Sequence, residues 1–298
     1  MLPFHLLAAS LLGAGALLAC SSSHPPFAGA GAGAGTSGAN NSGGNSGNGA
    51  GGATASESGR GNVAGSPLLD LDAGQHDDSS AGCARLNIGI LGNPGANASS
   101  NFQEWLEKSG TRAQRIQINV DEPLTAATLQ PFDVVVLDWL TREYTAEETA
   151  TFAAWVSAGG GVASMTGYNN SISDFRANSL LAPLRVAYAS PLRSGPVMNF
   201  VTHPVTTGLS YVTFNGGYAV SDLGGSESTR TAIAFLPDPG DAVAGFAVQM
   251  GEGRAVVWGD EWIEFDSEWS TLPQLTQFWV QLFAWIAPNN TCALTPPK

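Results

Sequence analysis

The sequence predicts an α/β domain of the flavodoxin-like type, with an open sheet of mostly parallel strands, flanking helices and extra β segments in its second half. Short apolar runs bounded by glycine or acidic residues recur at Leu86–Gly92, Asp133–Asp138 and Gly161–Gly167. Such runs are typical of strands that are buried on both faces. Helical patterns separate them, and strands that alternate with helices form parallel sheets.

The first half of the domain is regular. After the first strand, Ser100 and Gln103 predict a capping box that begins a helix, and the segment Arg115–Val120 alternates like a strand. Thr145 and Glu148 predict the capping box of a second helix. The predicted order in this half is therefore strand, helix, strand, strand, helix, strand.

The second half combines two predicted helices with several strands. Asp174–Leu181 has a helical pattern that Pro183 ends, and apolar side chains over residues 275–286 recur at helical spacing before Pro288. The aromatic stripe on this last helix indicates core packing. Strand-like segments lie around Val186 and at Val197–Val201, Val212–Phe214, Thr231–Phe235, Ala244–Met250 and Arg254–Gly259.

Residues 1–19 are predicted to be a signal peptide. The apolar stretch Leu6–Ala19 is about as long as a signal h-region and shorter than the roughly 20 residues of a membrane span. Leu17–Cys20 closes it and resembles a bacterial lipobox, in which the cysteine is lipidated after cleavage. Met1–His5 contains no Lys or Arg, so an ordinary signal peptide with a coincidental cysteine stays the alternative.

The lipobox predicts a lipid-anchored protein of the cell envelope, with the membrane as the partner of its anchor. Ser21 stands where familiar enteric systems use aspartate for inner-membrane retention, so the predicted location is the outer membrane, on its periplasmic or surface face. Residues 20–82 comprise the lipidated Cys20 and a Gly/Ala/Ser/Asn tract that buries too little apolar surface to order itself. They are predicted to be a disordered linker before a domain of residues 83–298.

The cysteines predict a disulfide bond, and the net charge limits the partners that the protein can bind. With Cys20 lipidated, Cys83 and Cys292 bracket the domain, and an even pair in an exported protein predicts a disulfide. Two free thiols are the alternative. The formal charge is −13 with only 12 Lys and Arg residues, which excludes nucleic acid as a partner because phosphate binding depends on basic side chains.

Four segments resemble the class I glutamine amidotransferase-like superfamily, and within it the trehalose-utilisation (ThuA-like) proteins. They are Asp133–Asp138, the strand Val162–Gly167 behind Gly159–Gly161, His203–Leu209 and Gly251–Trp258. The resemblance covers most of residues 86–287. It implies a flavodoxin-like fold whose active site lies at the carboxyl ends of the parallel strands.

The resemblance also implies where a nucleophile belongs. Amidotransferases carry a cysteine on the turn after the strand equivalent to Val162–Met165, and Thr166 occupies that place here. ThuA-like proteins often have histidine at the same turn, which Thr166 also replaces. The later partner histidine would fall near Trp258–Glu261, where the sequence has none. Glutaminase chemistry, which needs an activated cysteine, is therefore excluded.

His203 is the only histidine of the domain. A hydroxyl nucleophile, Ser164 or Thr166, would need it as a base, but Pro204 and the loop around it favour a structural role. A usual zinc site is excluded, because one histidine and no free cysteine leave too few nitrogen and sulfur ligands.

The segment Trp258–Trp269 holds five carboxylates and three tryptophans, the most suggestive cluster of the chain. Carboxylates bind Ca²⁺, and beside tryptophan faces they suit sugar hydroxyls and C–H groups. The alternative is a loop whose tryptophans pack on the last helix while its acids face water. The candidate cleft at one sheet edge comprises Asn93, Asp138, Thr166, Tyr168, Asp260 and Glu261, and the candidate ligands of a cation such as Ca²⁺ are Asp260, Glu261, Glu264 and Asp266.

Two function classes follow. The first is a non-catalytic binding or scaffolding module that holds a saccharide, a cation or an envelope protein, with no cofactor expected. The second is a carbohydrate-directed hydrolase that uses the Asp260 and Glu261 region as paired acids. The missing cysteine and histidine favour the first class.

Overall fold

The structure of the chain is a computed structural model that describes residues 84–94, 101–116, 121–167, 175–237, 240, 242–290, 292 and 294–297. The predicted signal peptide and linker, together with Cys20, Cys83 and Tyr168, lie outside this part of the chain. Within it, no helix combines the length and the apolar character that crossing a membrane requires.

The described residues contain a large mixed sheet and a separate strand pair. The strands are β1 (Asn87–Leu91), β2 (Arg112–Ile116), β3 (Val134–Leu137), β4 (Gly161–Ser164), β5 (Val186–Ser194), β6 (Asn199–Phe200), β7 (Asn215–Asp222), β8 (Thr229–Phe235), β9 (Val243–Met250) and β10 (Gly253–Trp258). Eight of these form one sheet in the order β2-β1-β3-β4-β10-β9-β8-β6, and β5 pairs with β7. The pairs from β2 to β10 are parallel and the remaining ones antiparallel, which confirms the predicted fold class.

Helices of the described chain cover both faces of the sheet. They are α1 (Phe102–Lys108), α2 (Ala126–Leu129), α3 (Ala146–Ser157), α4 (Asn178–Leu181), α5 (Asp266–Thr271) and α6 (Pro273–Ile286), with 3₁₀ turns at Ala182–Leu184, Pro204–Thr206 and Glu261–Glu264. The aromatic side chains of α6 are buried, as predicted.

Strand β3 shows why the sequence folds into two layers of helices around a sheet. Val134 and Val136 face the buried cluster that contains α1 and α6, whereas Val135 and Leu137 face the cluster that contains α3. All four side chains are fully buried. Burial of each side chain stabilises the folded state by about 1.5–3 kcal/mol relative to its exposure. A strand that is covered on both faces therefore requires an unbroken apolar run.

The capping box predicted for α3 is confirmed. Thr145 Oγ1 accepts a hydrogen bond from the backbone N–H of Glu148 (3.3 Å), and Glu148 Oε2 accepts one from the N–H of Thr145 (2.9 Å). The capping box predicted for α1 is not tested, because Ser100 lies outside the described residues. That helix begins at Phe102, and Asn101 stands at its N-cap without a capping side-chain bond.

Two predicted boundaries are wrong. Strand β2 begins at Arg112 rather than Arg115, because the Arg112 N–H already bonds to the Leu86 carbonyl (2.8 Å) directly after the turn. Of the predicted helix at 174–181, the described part from residue 175 onwards is α-helical at Asn178–Leu181, and Pro183 stands inside the following 3₁₀ turn.

The strand predicted at Val212–Phe214 is wrong, and the structure has strand β7 directly after that segment instead. Val212 forms only an isolated bridge to Val197, and the strand itself begins at Asn215. Gly217 lies so close to the next loop that a β-carbon built there would be 2.3 Å from the Gly259 carbonyl oxygen. This close approach requires glycine. Because glycine has a low strand propensity, the residue composition of β7 does not indicate a strand.

Candidate functional site

The carboxyl ends of the parallel strands meet at one edge of the sheet. Leu91 pairs with Leu137, and Leu137 and Val257 each pair with Ser164. The residues that follow these strands therefore share an edge, and they include the candidates Asn93, Asp138, Thr166, Asp260 and Glu261. In open α/β sheets, ligands bind at this edge.

Asp138 forms the floor of this edge. Its side chain is fully buried, and Arg115 Nη1 donates to Asp138 Oδ2 (2.7 Å) and to the Gly92 carbonyl oxygen (3.1 Å). The carboxyl of Glu264, which ends the 3₁₀ turn after β10, is also buried. Burial raises the pKa of Asp138 to about 6, while the charge of Arg115 and its hydrogen bond oppose that shift.

Asp260 has a positioning role. It is fully buried, and its Oδ2 accepts the N–H of Asn215 (2.5 Å) at the start of β7. Its Oδ1 accepts the N–H of Trp262 (3.3 Å), which caps the 3₁₀ turn Glu261–Glu264. Burial raises the pKa of Asp260 to about 7 against these backbone donors, with a further increase from the charge of Glu268. Asp260 thus joins β7 to the turn.

Glu261 covers the turn after β4. Its side chain is 2% exposed, and a β-carbon built on Gly167 would lie 2.1 Å from Glu261 Cγ. Thr166, the residue that the resemblance predicts at the nucleophile position, is also buried. The space over the turn is therefore filled by a side chain from the segment after β10.

Half-buried tryptophans and polar groups also follow the carboxyl ends of the parallel strands, and we call them the rim. Trp139 directly follows Asp138 and has a φ of +29°, a strained value for a bulky residue. Trp262 lies in the same turn as Glu264, and its ring is 4.9 Å from the ring of Phe265. The other rim residues are Asn93, which is exposed, and Asp266, which accepts a hydrogen bond from Asn101 Nδ2 (3.0 Å).

The predicted cation ligands have different surroundings. Asp260 accepts backbone N–H groups, Glu261 packs on Gly167, Glu264 is buried at the end of the 3₁₀ turn, and Asp266 accepts a hydrogen bond from Asn101. Among the described residues, no three or more His, Cys, Asp or Glu side chains are grouped so that they could hold a metal ion.

His203 lies at the opposite edge of the sheet from Thr166. Its ring is 5.0 Å from the ring of Trp285, and burial and the charge of Arg254 lower its pKa. Arg254 pairs with Gly161, the first residue of β4, whereas Thr166 follows the last. His203 Nδ1 accepts the N–H of Val205 (3.2 Å), so the residue caps a turn and cannot serve a hydroxyl nucleophile.

The alternative in which the acids of Trp258–Trp269 face water is wrong for three of them. Asp260, Glu261 and Glu264 are at most 2% exposed. Trp258 packs on the last helix as that alternative expects, since it is fully buried and its ring is 5.0 Å from the ring of Phe278 in α6. Trp262 does not, because it is half-buried and its ring contacts Phe265.

Arg115 is the site residue that the sequence does not reveal. The alternating pattern predicts it at the start of a strand, whereas the structure pairs it with Ile90 near the carboxyl end of the edge strand β2. An arginine at the carboxyl end of a parallel strand is the signal that could have indicated a buried carboxylate nearby. Nothing in the local pattern distinguishes Glu264, a predicted cation ligand, from its acidic neighbours.

No protein-family model matches the chain, and no curated protein matches it. Among solved structures, the mmIFT52 N-terminal domain is 13% identical with a TM-score of 0.55, over 68% of this chain and 97% of its own. A cytoplasmic protein from Salmonella typhimurium LT2 is 14% identical with a TM-score of 0.51, over 67% and 99%. A putative ThuA-like protein from Bacteroides uniformis is 14% identical with a TM-score of 0.49, over 74% and 98%. These likenesses concern the fold alone.

Proposed function

We propose that the chain is a lipid-anchored protein of the cell envelope whose α/β domain is a non-catalytic binding module, and that it binds a saccharide at the rim. The observation that carries this proposal is the turn after β4. Thr166 stands at the nucleophile position, and the Glu261 side chain lies against Gly167. The Glu261 side chain thereby fills the place where amidotransferases of this fold carry out their reaction.

The chemistry of the rim favours a saccharide as the ligand. Trp139 and Trp262 are half-buried, so part of each ring is accessible for packing against sugar C–H groups. Asn93, whose backbone N–H donates to the Trp139 carbonyl oxygen (3.1 Å), offers an amide group to hydroxyls, and Asp266, four residues after Trp262, offers a carboxylate. Apolar surfaces with a few convergent polar groups are typical of small-molecule sites.

The geometry gives less support to the carbohydrate hydrolase. A glycosidase needs two carboxyl groups that can reach the scissile bond. Asp260, the first predicted acid, already accepts the N–H groups of Asn215 and Trp262, and Glu261, the second, packs against Gly167. The Asp260 carboxylate is engaged in holding the turn.

The test is calorimetric titration of the intact chain in detergent with a saccharide panel. Trp139→Ala and Trp262→Ala are each expected to raise the Kd by about tenfold or more, as truncation of an anchoring aromatic does. Trp155→Ala is the matched control, because Trp155 is equally half-buried but packs on Gly160 before β4 begins. Binding of Ca²⁺ or an envelope protein in place of any saccharide would overturn the saccharide assignment, and saccharide turnover would overturn the non-catalytic one.

A further inference from the structure

The backbone of Trp139 is strained. Its φ of +29° lies in the left-handed region, where a β-carbon comes too close to the following carbonyl oxygen and glycine is favoured. Among the described residues other than glycine, only Arg185 also has a positive φ. A bulky residue keeps such a conformation only where its surroundings hold it, and conformations of this kind cluster at ligand sites.

A buried ion pair and the loop after β1 surround Trp139. Arg115 Nη1 donates to Asp138 Oδ2 (2.7 Å) and to the Gly92 carbonyl oxygen (3.1 Å). The Asp138 side chain is fully buried, and the Arg115 side chain is 16% exposed. The backbone N–H of Asn93 donates to the Trp139 carbonyl oxygen (3.1 Å). These bonds fasten the loop after β1 to the residues that follow β3.

Gly92 brings the two loops into direct backbone contact. A β-carbon built on Gly92 would collide with the Asp138 carbonyl oxygen, and it would lie 2.8 Å from that of Trp139. Gly92 also has a φ of +113°, so glycine is required there for two reasons. With no side chain between the loops, a movement of Gly92 displaces Asp138 and Trp139.

The ring of Trp139 is held with its N–H group inside the protein. The residue is half-buried, while its indole Nε1 is buried and has no hydrogen-bond partner among the described residues. The ring therefore offers carbon to a ligand, which suits packing against sugar C–H groups. A buried N–H without a partner costs free energy, as does the left-handed φ. Two unfavourable features on one residue indicate that its surroundings impose its position.

We infer that Arg115 and Asp138 are positioning residues of the saccharide site, because their ion pair and the loop bonds beside it hold Trp139 in the conformation that presents its ring at the rim. The inference rests on the proposed function and adds the residues that fix the geometry of that site. They act through the backbone of Gly92 and Trp139 and need not touch the ligand. An aromatic anchor that is already ordered loses less conformational entropy on binding, so the ion pair contributes affinity.

Urea unfolding of two truncations tests the strain. Trp139→Gly and Trp139→Ala remove the same side-chain packing, but only glycine adopts a φ of +29° without steric cost. We expect the glycine variant to have the higher urea midpoint, although glycine ordinarily lowers stability relative to alanine. Trp262 is the matched control, because it is also half-buried but lies in a 3₁₀ turn without a positive φ, so Trp262→Ala should exceed Trp262→Gly. A Trp139→Ala variant that is at least as stable as Trp139→Gly would overturn the inference.

Fluorine NMR of the intact chain in detergent, labelled with fluorotryptophan, tests the positioning without any ligand. The Trp139 resonance is assigned by its loss in Trp139→Phe. Arg115→Met is expected to shift or broaden this resonance and to leave that of Trp155 unchanged. Arg115→Lys is expected to preserve it, because the lysine ammonium can donate to both Asp138 and Gly92. An unchanged Trp139 resonance in Arg115→Met would overturn the inference.

The double variant Arg115→Met/Asp138→Leu replaces the single one if Arg115→Met does not fold, because it leaves no buried carboxylate unpaired. In calorimetric titration with the saccharide of the panel that the native chain binds most tightly, loss of the ion pair should raise the Kd by about tenfold, and Arg115→Lys should raise it by less than about threefold. An unchanged Kd would overturn the inference. A native chain that binds no saccharide would overturn the proposed function, whereas the NMR comparison still decides whether Arg115 positions Trp139.

Discussion

Glu261 and Gly167 control the space over the turn after β4. Glu261 is 2% exposed, and a β-carbon at Gly167 would lie 2.1 Å from its Cγ. A carboxyl group at this depth costs free energy unless it is paired or hydrogen-bonded, so its position over the turn is a built contact. The absence of a side chain at Gly167 makes that contact possible.

Gly167→Ala is expected to lower the free energy of unfolding by about 1–3 kcal/mol through overpacking, and Glu261→Ala is expected to relieve most of that loss. The measurement is a double-mutant cycle by urea unfolding. Gly217→Ala is the matched control, because its β-carbon would meet the Gly259 backbone and truncation of Glu261 cannot relieve it. Additive effects of Gly167→Ala and Glu261→Ala would contradict the contact.

The positions of the candidate residues are easier to predict than their partners. Asp138, Thr166 and Asp260 follow apolar strands, so their common edge follows from the parallel order alone. The contact of Asp138 with Arg115 crosses the strand order β2-β1-β3. No local pattern reveals this partner, because the contact arises from tertiary packing.

At the scale of the element, Glu148 holds the first turn of α3 to its surroundings. Its Oε1 accepts the N–H of Leu124 (2.6 Å) before α2, its Oε2 accepts the N–H of Thr145 (2.9 Å), and Arg142 donates to both oxygens. The hydrogen bonds from Arg142 are the main cause that lowers the pKa of Glu148 to about 2, with smaller contributions from the backbone donors.

Glu148→Gln is expected to lower the free energy of unfolding by about 2 kcal/mol at neutral pH, because charge-assisted hydrogen bonds are lost. The ionised group stabilises the folded state above its usual pKa of 4.5, and this contribution is lost as the pH falls towards about 2. The difference between the native chain and the variant should therefore shrink between those values in urea unfolding. The exposed neighbour Glu147 is the control, since Glu147→Gln should change stability by less than about 0.5 kcal/mol. A difference that is constant with pH would contradict the assignment.

Elements with strong local patterns were predicted, and those fixed by tertiary contacts were not. Strand β3 is an unbroken apolar run, and the capping box of α3 is visible in the sequence. Strand β7 starts with Asn215 and two glycines, and it is located by Asp260 and the close approach of Gly217 to Gly259. Helix α5 has no buried residue, so it lacks the apolar stripe by which a helix is recognised.

At the scale of the whole domain, the rim and Ala84 occupy opposite edges of the parallel strands. The rim follows the carboxyl ends of β3 and β10, while Ala84 precedes β1 and is held by Asn290. This contact also brings Ala84 beside the segment that leads to Cys292. The predicted pairing of Cys83 with Cys292 would close the domain at that edge.

Reduction of this predicted disulfide should destabilise the domain. A closed loop of about 200 residues corresponds to at most about 5 kcal/mol in the chain-entropy account, and Asn290 already orders part of the same edge. Urea unfolding with and without reductant measures the loss, and the double variant Cys83→Ser/Cys292→Ser should match the reduced native chain. Cys20→Ser should leave domain stability unchanged because it lies in the predicted linker. Thiol labelling of both Cys83 and Cys292 in the unreduced chain would contradict the pairing, since an oxidised pair offers no thiol.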